Sequence, residues 1–230
     1  MKQLGFSLVE LSIVLLIIGL LLTGIMNSQG VIGSTQTNDV IAIIDDLTTS
    51  TAYFKQHYSY LPGDLPSPAT DINSTPVLVE GTGGTIGNGV IDGAINDTPG
   101  DLNRGAATIS SDEVAQAPLQ LYKAGLLGKI QTDLLRRVMT KYGPVHLVSA
   151  ATANGLVVNF THANANASSR NAIVFFNIPC DTVTAVDNKI DNGMTVYDSV
   201  DPVTGVHTYG GRAFGTGCNN NVVTWYAVAL

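Results

Sequence analysis

The sequence predicts an α+β protein in which one long N-terminal helix lies against an antiparallel β-sheet head. Three observations predict it. An almost unbroken apolar run extends from Phe6 to Met26. Apolar positions then thin to one face, with Val40, Ile43, Ile44, Leu47, Phe54 and Tyr58 recurring at helical spacing. The second half of the chain carries β-branched and aromatic runs separated by polar, Asn-rich turns.

Composition narrows the function classes. The chain has 230 residues, 18 acidic and 11 basic, for a formal net charge of −7. That length suits one domain plus an extra element, or two small domains. A hydrophobic share of 45% excludes global disorder. Charged residues are only 13%, about half the usual share, which points to a membrane segment or to packing in an assembly. The cations are few and scattered, and the longest basic run is Arg136-Arg137. No nucleic-acid partner is expected, because phosphate binding needs clustered Lys and Arg.

The apolar run comes first. Between Phe6 and Met26 the polar side chains are Ser7, Glu10, Ser12 and Thr23. As a helix it would rise roughly 31 Å, close to one bilayer core. Lys2 is the charged residue before it, which places that end in the cytoplasm and the rest outside. A secretory signal peptide is excluded, since the run is too long and no Ala-x-Ala-like site follows. A plain membrane anchor leaves Glu10 unexplained, because a carboxylate at mid-membrane costs about 2.5–3.5 kcal/mol.

Gly5-Phe6-Ser7-Leu8-Val9-Glu10 and the apolar run behind it resemble the class III signal of type IV pilins and type II secretion pseudopilins. The resemblance implies a bacterial protein cleaved by prepilin peptidase between Gly5 and Phe6, and methylation of the new Phe6 amine. It implies that Glu10 pairs with the Phe6 amine of a neighbouring subunit. The physics agrees: removing either partner leaves the other buried and unpaired. A leader at 1–5 is then followed by a helix at 6–58, filament core and transmembrane over about 6–26 and amphipathic over 27–58. A head at 59–230 completes the ladle that the resemblance implies.

Leu61-Pro62-Gly63-Asp64 reads as the stop of the helix. Gly19–Thr23, Gly24–Ser28 and Gly30–Ser34 are small residues four apart, a spacing that lets membrane helices approach closely. The stretch from about Gly24 to Ser34 is expected to be its weak point. Some pilins melt such a stretch beside a proline, and this chain has none before Pro62.

Residues 62–110 read as turn-rich loop. Gly81-Thr-Gly-Gly-Thr-Ile-Gly87 lacks the flanking strand and helix of a phosphate-binding loop. A looser resemblance to pilin-like proteins rests on Tyr60-Leu-Pro-Gly-Asp64, Gly87-Asn-Gly89 and Ala124-Gly-Leu-Leu127. Ser110 and Glu113 read as a capping box opening a helix over about Ser111–Ala124. Pro118 is expected to kink or split it. A short helix at about Gln131–Met139 follows. Strands are expected at Pro144–Ala150, Leu156–His162, Ala172–Ile178 and Val222–Ala229, with Ala153-Asn154-Gly155 turning the first pair.

Cys180 and Cys218 are expected to form a disulfide in an oxidising compartment. In pilins such a bridge bounds the variable D-region, here 180–218. The segment Val186–Gly193 resembles a pilin-like loop that follows a short helix. Asp187 and Asp191 within it are weak calcium candidates, as is the acidic loop Asp92, Asn96, Asp97 and Asp101, but Asp and Asn here read first as turn formers. No cofactor is otherwise expected. His57, His146, His162 and His207 lack metal-ligand spacing and read as surface residues. Four N-x-[ST] sequons, at Asn73, Asn96, Asn159 and Asn166, carry no weight in a bacterium. No catalytic motif is present, so the chain is not expected to be an enzyme.

The resulting expectation is a structural subunit of a type IV pilus, a fimbrium serving adhesion, motility or DNA uptake. Apolar burial of residues 11–26 and register fixed by Glu10 with Phe6 would hold the filament. Its partners would be copies of itself, other pilins, prepilin peptidase and the membrane assembly machinery. It would wait in the cytoplasmic membrane with its head outside, then become extracellular in the pilus. The alternatives are a minor pilin, a type II secretion pseudopilin, or an adhesin on a plain anchor.

Overall fold

A computed structural model describes residues 7–73, 78, 80–81, 84–93, 112–128, 138–149, 171–190, 199–200, 207–208, 213–215, 218–219 and 221–230. The first helix, α1, runs unbroken over Leu8–Tyr58, 51 residues or about 76 Å. It passes through residues 24–34 without a break. It ends earlier than the proline-glycine stop, at Ser59, whose φ of 65° turns the chain left-handed while its N–H donates to the Lys55 carbonyl at 2.8 Å. Lys55 and His57 in the last turn complement the helix dipole.

The head begins to grip α1 at Gln36. Tyr142 Oη donates to Gln36 Oε1 at 2.7 Å, and Lys189 Nζ donates to Asn38 Oδ1 at 2.9 Å. From there Thr37, Val40, Ile44, Leu47, Thr51 and Phe54 are buried at successive three- and four-residue steps, with Ser50 buried beside Thr51. Ile43 and Tyr58 are half-buried at the edge of this stripe. Ser50 satisfies its hydroxyl by donating to the Leu126 carbonyl at 2.8 Å.

A single turn, α2 (Pro68–Asp71), is followed by α3 (Glu113–Lys123). α3 is one continuous helix through Pro118, which corrects the expected split into two short helices. Its cap is Asp112, and Glu113 occupies the first helical position. The expected box between Ser110 and Glu113 therefore does not form, and Ser110 itself lies outside the described residues.

The strands are β1 (Val138–Thr140), β2 (Gly143–Ser149) and β3 (Asn171–Pro179), then helix α4 (Cys180–Ile190). Next come β4 (Ser199–Val200), β5 (His207–Thr208), β6 (Ala213–Gly215), β7 (Cys218–Asn219) and β8 (Val222–Ala229). The main sheet has the order β1-β2-β3-β8-β6, every neighbour antiparallel, with β7 also on β8. β4 and β5 form a separate pair. Three of the four expected strands are present. The fourth, Leu156–His162, and the turn at 153–155 lie outside the described residues. So does most of the helix expected at Gln131–Met139, whose last two residues, Val138 and Met139, instead belong to β1.

β3 and β8 are central, and Ile173, Val174, Phe175, Ile178, Tyr226, Ala227 and Val228 are buried. α4 packs on α1 and on this sheet. Residues 186–190, expected in a loop, are helical in α4. His146, expected on the surface, is half-buried and meets Phe176 edge-on at 5.8 Å.

Candidate functional site

Among the described residues, nothing is packed on the N-terminal part of α1. The large apolar side chains from Leu8 to Leu22 are all exposed, from 46% at Ile18 to 85% at Leu8. Soluble monomers rarely show so large an apolar surface without a partner for it. Among the described residues, no helix is long and apolar enough to cross a membrane. The span expected over 6–26 is thus not recovered: its described side chains run from Ser7 to Thr23.

Glu10 heads this surface. Ser7 caps α1: its hydroxyl accepts from the Val9 N–H at 3.3 Å. Glu10 reaches back, and its Oε2 accepts the Ser7 N–H at 2.8 Å. This reciprocal arrangement is a capping box, and its signal, Ser-x-x-Glu, stands in the sequence at Ser7 and Glu10. The carboxylate is therefore aimed at the start of the helix, one residue from Phe6. In the lone chain it satisfies its own backbone; it is exposed and free to exchange that donor for another. Gly5 and Phe6 lie outside the described residues.

Cys180 and Cys218 are joined by a disulfide with their Cα atoms 5.9 Å apart. The bridge ties the first residue of α4 to β7, and the Cys180 N–H donates to the Asn221 carbonyl at 3.0 Å. Asp187, a calcium candidate in the sequence, lies on α4 and is buried. Its Oδ1 accepts from Tyr226 Oη at 3.1 Å, which places it as an acceptor inside the head. Asp191 lies outside the described residues. Among the described residues, no group of three or more His, Cys, Asp or Glu is placed to hold a metal ion.

A second polar centre joins Asp64 and Gly87-Asn-Gly89, segments of the looser resemblance, to Asn171 and Glu113, which no motif linked to them. The segment 87–93 is held by side chains from three other parts of the head. Asp64, after α1, accepts N–H groups from Gly87 and Asn88 on Oδ1 and from Gly89 on Oδ2. Asn171, at the start of β3, accepts from the Ile91 N–H at 2.8 Å and donates to the Gly89 carbonyl at 3.2 Å. Glu113 Oε2, at the start of α3, accepts the Asp92 N–H at 2.7 Å. Burial pushes the Asp64 carboxyl above its ordinary range, and the three backbone donors oppose that rise. Replacing Asp64 with Ala strands three donors. Stability of the full chain is expected to fall by about 3 kcal/mol or more, read as a lower denaturation midpoint, with cleavage after Gly5 unaffected.

Residues 1–26 match the model of the prokaryotic N-terminal methylation motif, the class III signal peptide of type IV pilins. No curated protein and no solved structure matches the chain. The motif indicates a type IV pilin-like or pseudopilin precursor and implies processing by prepilin peptidase and assembly with other pilins. It further implies a structural role rather than an enzymatic one. It suggests anchoring in the membrane before assembly and an extracellular place afterwards.

Proposed function

We propose that the chain is a structural subunit of a type IV pilus, cut after Gly5 and polymerised through the N-terminal part of α1. The carrying observation is the exposed apolar helix of Leu8–Leu22 with one carboxylate, Glu10, at its head. Cleavage leaves 225 residues (230 − 5), with Phe6 as the new amine. In lipid the helix is already in apolar surroundings, so moving it into a filament core gains little hydrophobic energy. Close packing at Gly19 and Gly24, and the charge pair of Glu10 with a neighbour's Phe6 amine, would then decide register. The Ser7–Glu10 bond supports this: the carboxylate is held ready beside the future amine and loses only a solvent-exposed backbone donor on transfer.

The test is quantitative mass spectrometry of filaments sheared from intact cells. The chain is expected as their dominant component, with an N-terminal peptide that starts at methylated Phe6. A processed chain present only in trace amounts would move the reading to a minor pilin. One that stays with the cell envelope would move it to a secretion pseudopilin. An uncleaved chain displayed on the surface would leave a plain anchor.

A further inference from the structure

Glu113 is buried at the start of α3, and among the described residues no cation acts on it. Its side chain is wholly inaccessible. Oε2 takes the Asp92 N–H, while Oε1 has no hydrogen-bond partner among the described residues. Among the described residues, the charged groups that act on it are acidic: Asp64 from the turn after α1, Asp92 from the 84–93 segment and Asp112 from the cap of α3. The backbone closes over it. Gly63, at φ 91°, and Gly81 press against the residue so tightly that a Cβ on either would clash with it. One on Gly63 would stand 2.4 Å from the Glu113 carbonyl oxygen, and one on Gly81 would stand 2.6 Å from its Cγ. Water can reach Oε1 only if one of the covering segments moves.

We propose that Glu113 is a proton-operated latch of the head. Protonated, it is neutral and lies covered beneath Gly81 and the 84–93 segment. Ionised, it gives its proton to water and drives that cover outward until the carboxylate is solvated. The segment that moves is the one that carries Asp92, which is joined to Glu113 by one hydrogen bond and repelled by its charge. This device belongs to the head and stands whether or not the chain polymerises.

The electrostatics support the geometry. Burial pushes the Glu113 carboxyl up to about 7, with Asp64, Asp92 and Asp112 adding to the rise and the Asp92 N–H opposing it. The folded state thus holds this proton more tightly than the unfolded chain does. The group's stabilising effect is complete below the ordinary glutamate range. It is lost as pH rises from that range to about 7 and is constant above it. Asp64, also raised by burial, acts in the same sense.

The experiment uses the full chain in detergent micelles. Amide exchange, corrected for intrinsic rates, is followed at about pH 6 and about pH 8.5. Protection of residues 87–93 is expected to fall about tenfold or more between them, while β3 and β8 stay protected. Glu113→Gln still accepts the Asp92 N–H but cannot ionise, so its protection should not change with pH. Asp92→Asn removes one repelling charge and should move the transition to lower pH. The chain has three glutamates, Glu10, Glu80 and Glu113. Carboxyl-labelled glutamate in the wild type therefore gives a reading that needs no variant. One of the three resonances should titrate near neutrality in step with exchange at 87–93. An unchanged transition in Glu113→Gln, or no glutamate titrating in step with that exchange, overturns the proposal.

Discussion

Glu10→Ala is expected to abolish filaments while leaving the chain cleaved after Gly5 and its head folded. Two effects of very different size separate in this variant. Within the chain, Ala removes the reciprocal half of the cap at Ser7, a local loss of about 1 kcal/mol. That loss falls at an exposed helix end, far along α1 from the first gripped residue, Gln36, so head stability should not change. Between chains, Ala leaves a neighbour's Phe6 amine in an apolar core without a counter-charge, at about 3–5 kcal/mol per contact. That is a factor of several hundred or more in each association constant. Because every subunit repeats the contact, sheared-filament yield should drop below detection. Glu10→Gln sharpens the reading, since Gln can still accept the Ser7 N–H but carries no charge. If the pair matters, Gln fails like Ala. Filaments of normal yield from the Gln variant would assign Glu10 to capping alone, and normal yield from Ala would remove it from assembly altogether.

The contrast between two Ser-x-x-Glu patterns shows what a sequence discloses here. At Ser110 and Glu113 the pattern suggested a cap, yet the helix starts at Glu113 itself and the carboxylate turns to Asp92. At Ser7 and Glu10 the same pattern is a true cap. Local spacing is equal in the two; tertiary contacts with 84–93 decide the first. β2, β3 and β8 were legible because runs of β-branched residues buried in a sheet leave a continuous signal. The end of α1 was legible too: it was expected at 58 and falls at Tyr58, although left-handed Ser59 closes the helix before Pro62-Gly63 is reached. In the glycine-rich run at 81–87, read as a surface loop, Gly84, Thr85 and Gly87 are exposed, whereas Gly81 is buried against Glu113. The hub of Asp64, Asn171 and Glu113 joins residues from 21 to 82 positions away from the segment they hold. No short-range pattern carries such a set. Asp64 and Gly87-Asn-Gly89 did stand among the residues of the looser pilin resemblance, and they turn out to be donors and acceptor of one another.

Removing the disulfide, by Cys180→Ser with Cys218→Ser, is expected to give the largest loss of head stability. The bridge closes 39 residues (218 − 180 + 1). Chain-entropy reasoning assigns such a loop about 4 kcal/mol, acting mainly by limiting the unfolded chain. For a chain of this size, that corresponds to a fall in melting temperature of roughly 8–16 °C. The folded side matters as well. Cys180 starts α4, which packs on α1, and Cys218 pairs with Val223 of β8, a central strand. Without the bridge, α4 remains held by the Cys180 N–H bond to Asn221 and by Lys189 at Asn38, both near its ends. Protease should therefore enter first between α4 and β7, and β3 and β8 should resist longest. The effect on filaments should be smaller than that of Glu10→Ala, because Cys180 and Cys218 lie in the head, away from Leu8–Leu22. A double variant that melts with the wild type, or a native chain that gains no hydrogens on reduction, would remove the bridge from any account of this fold.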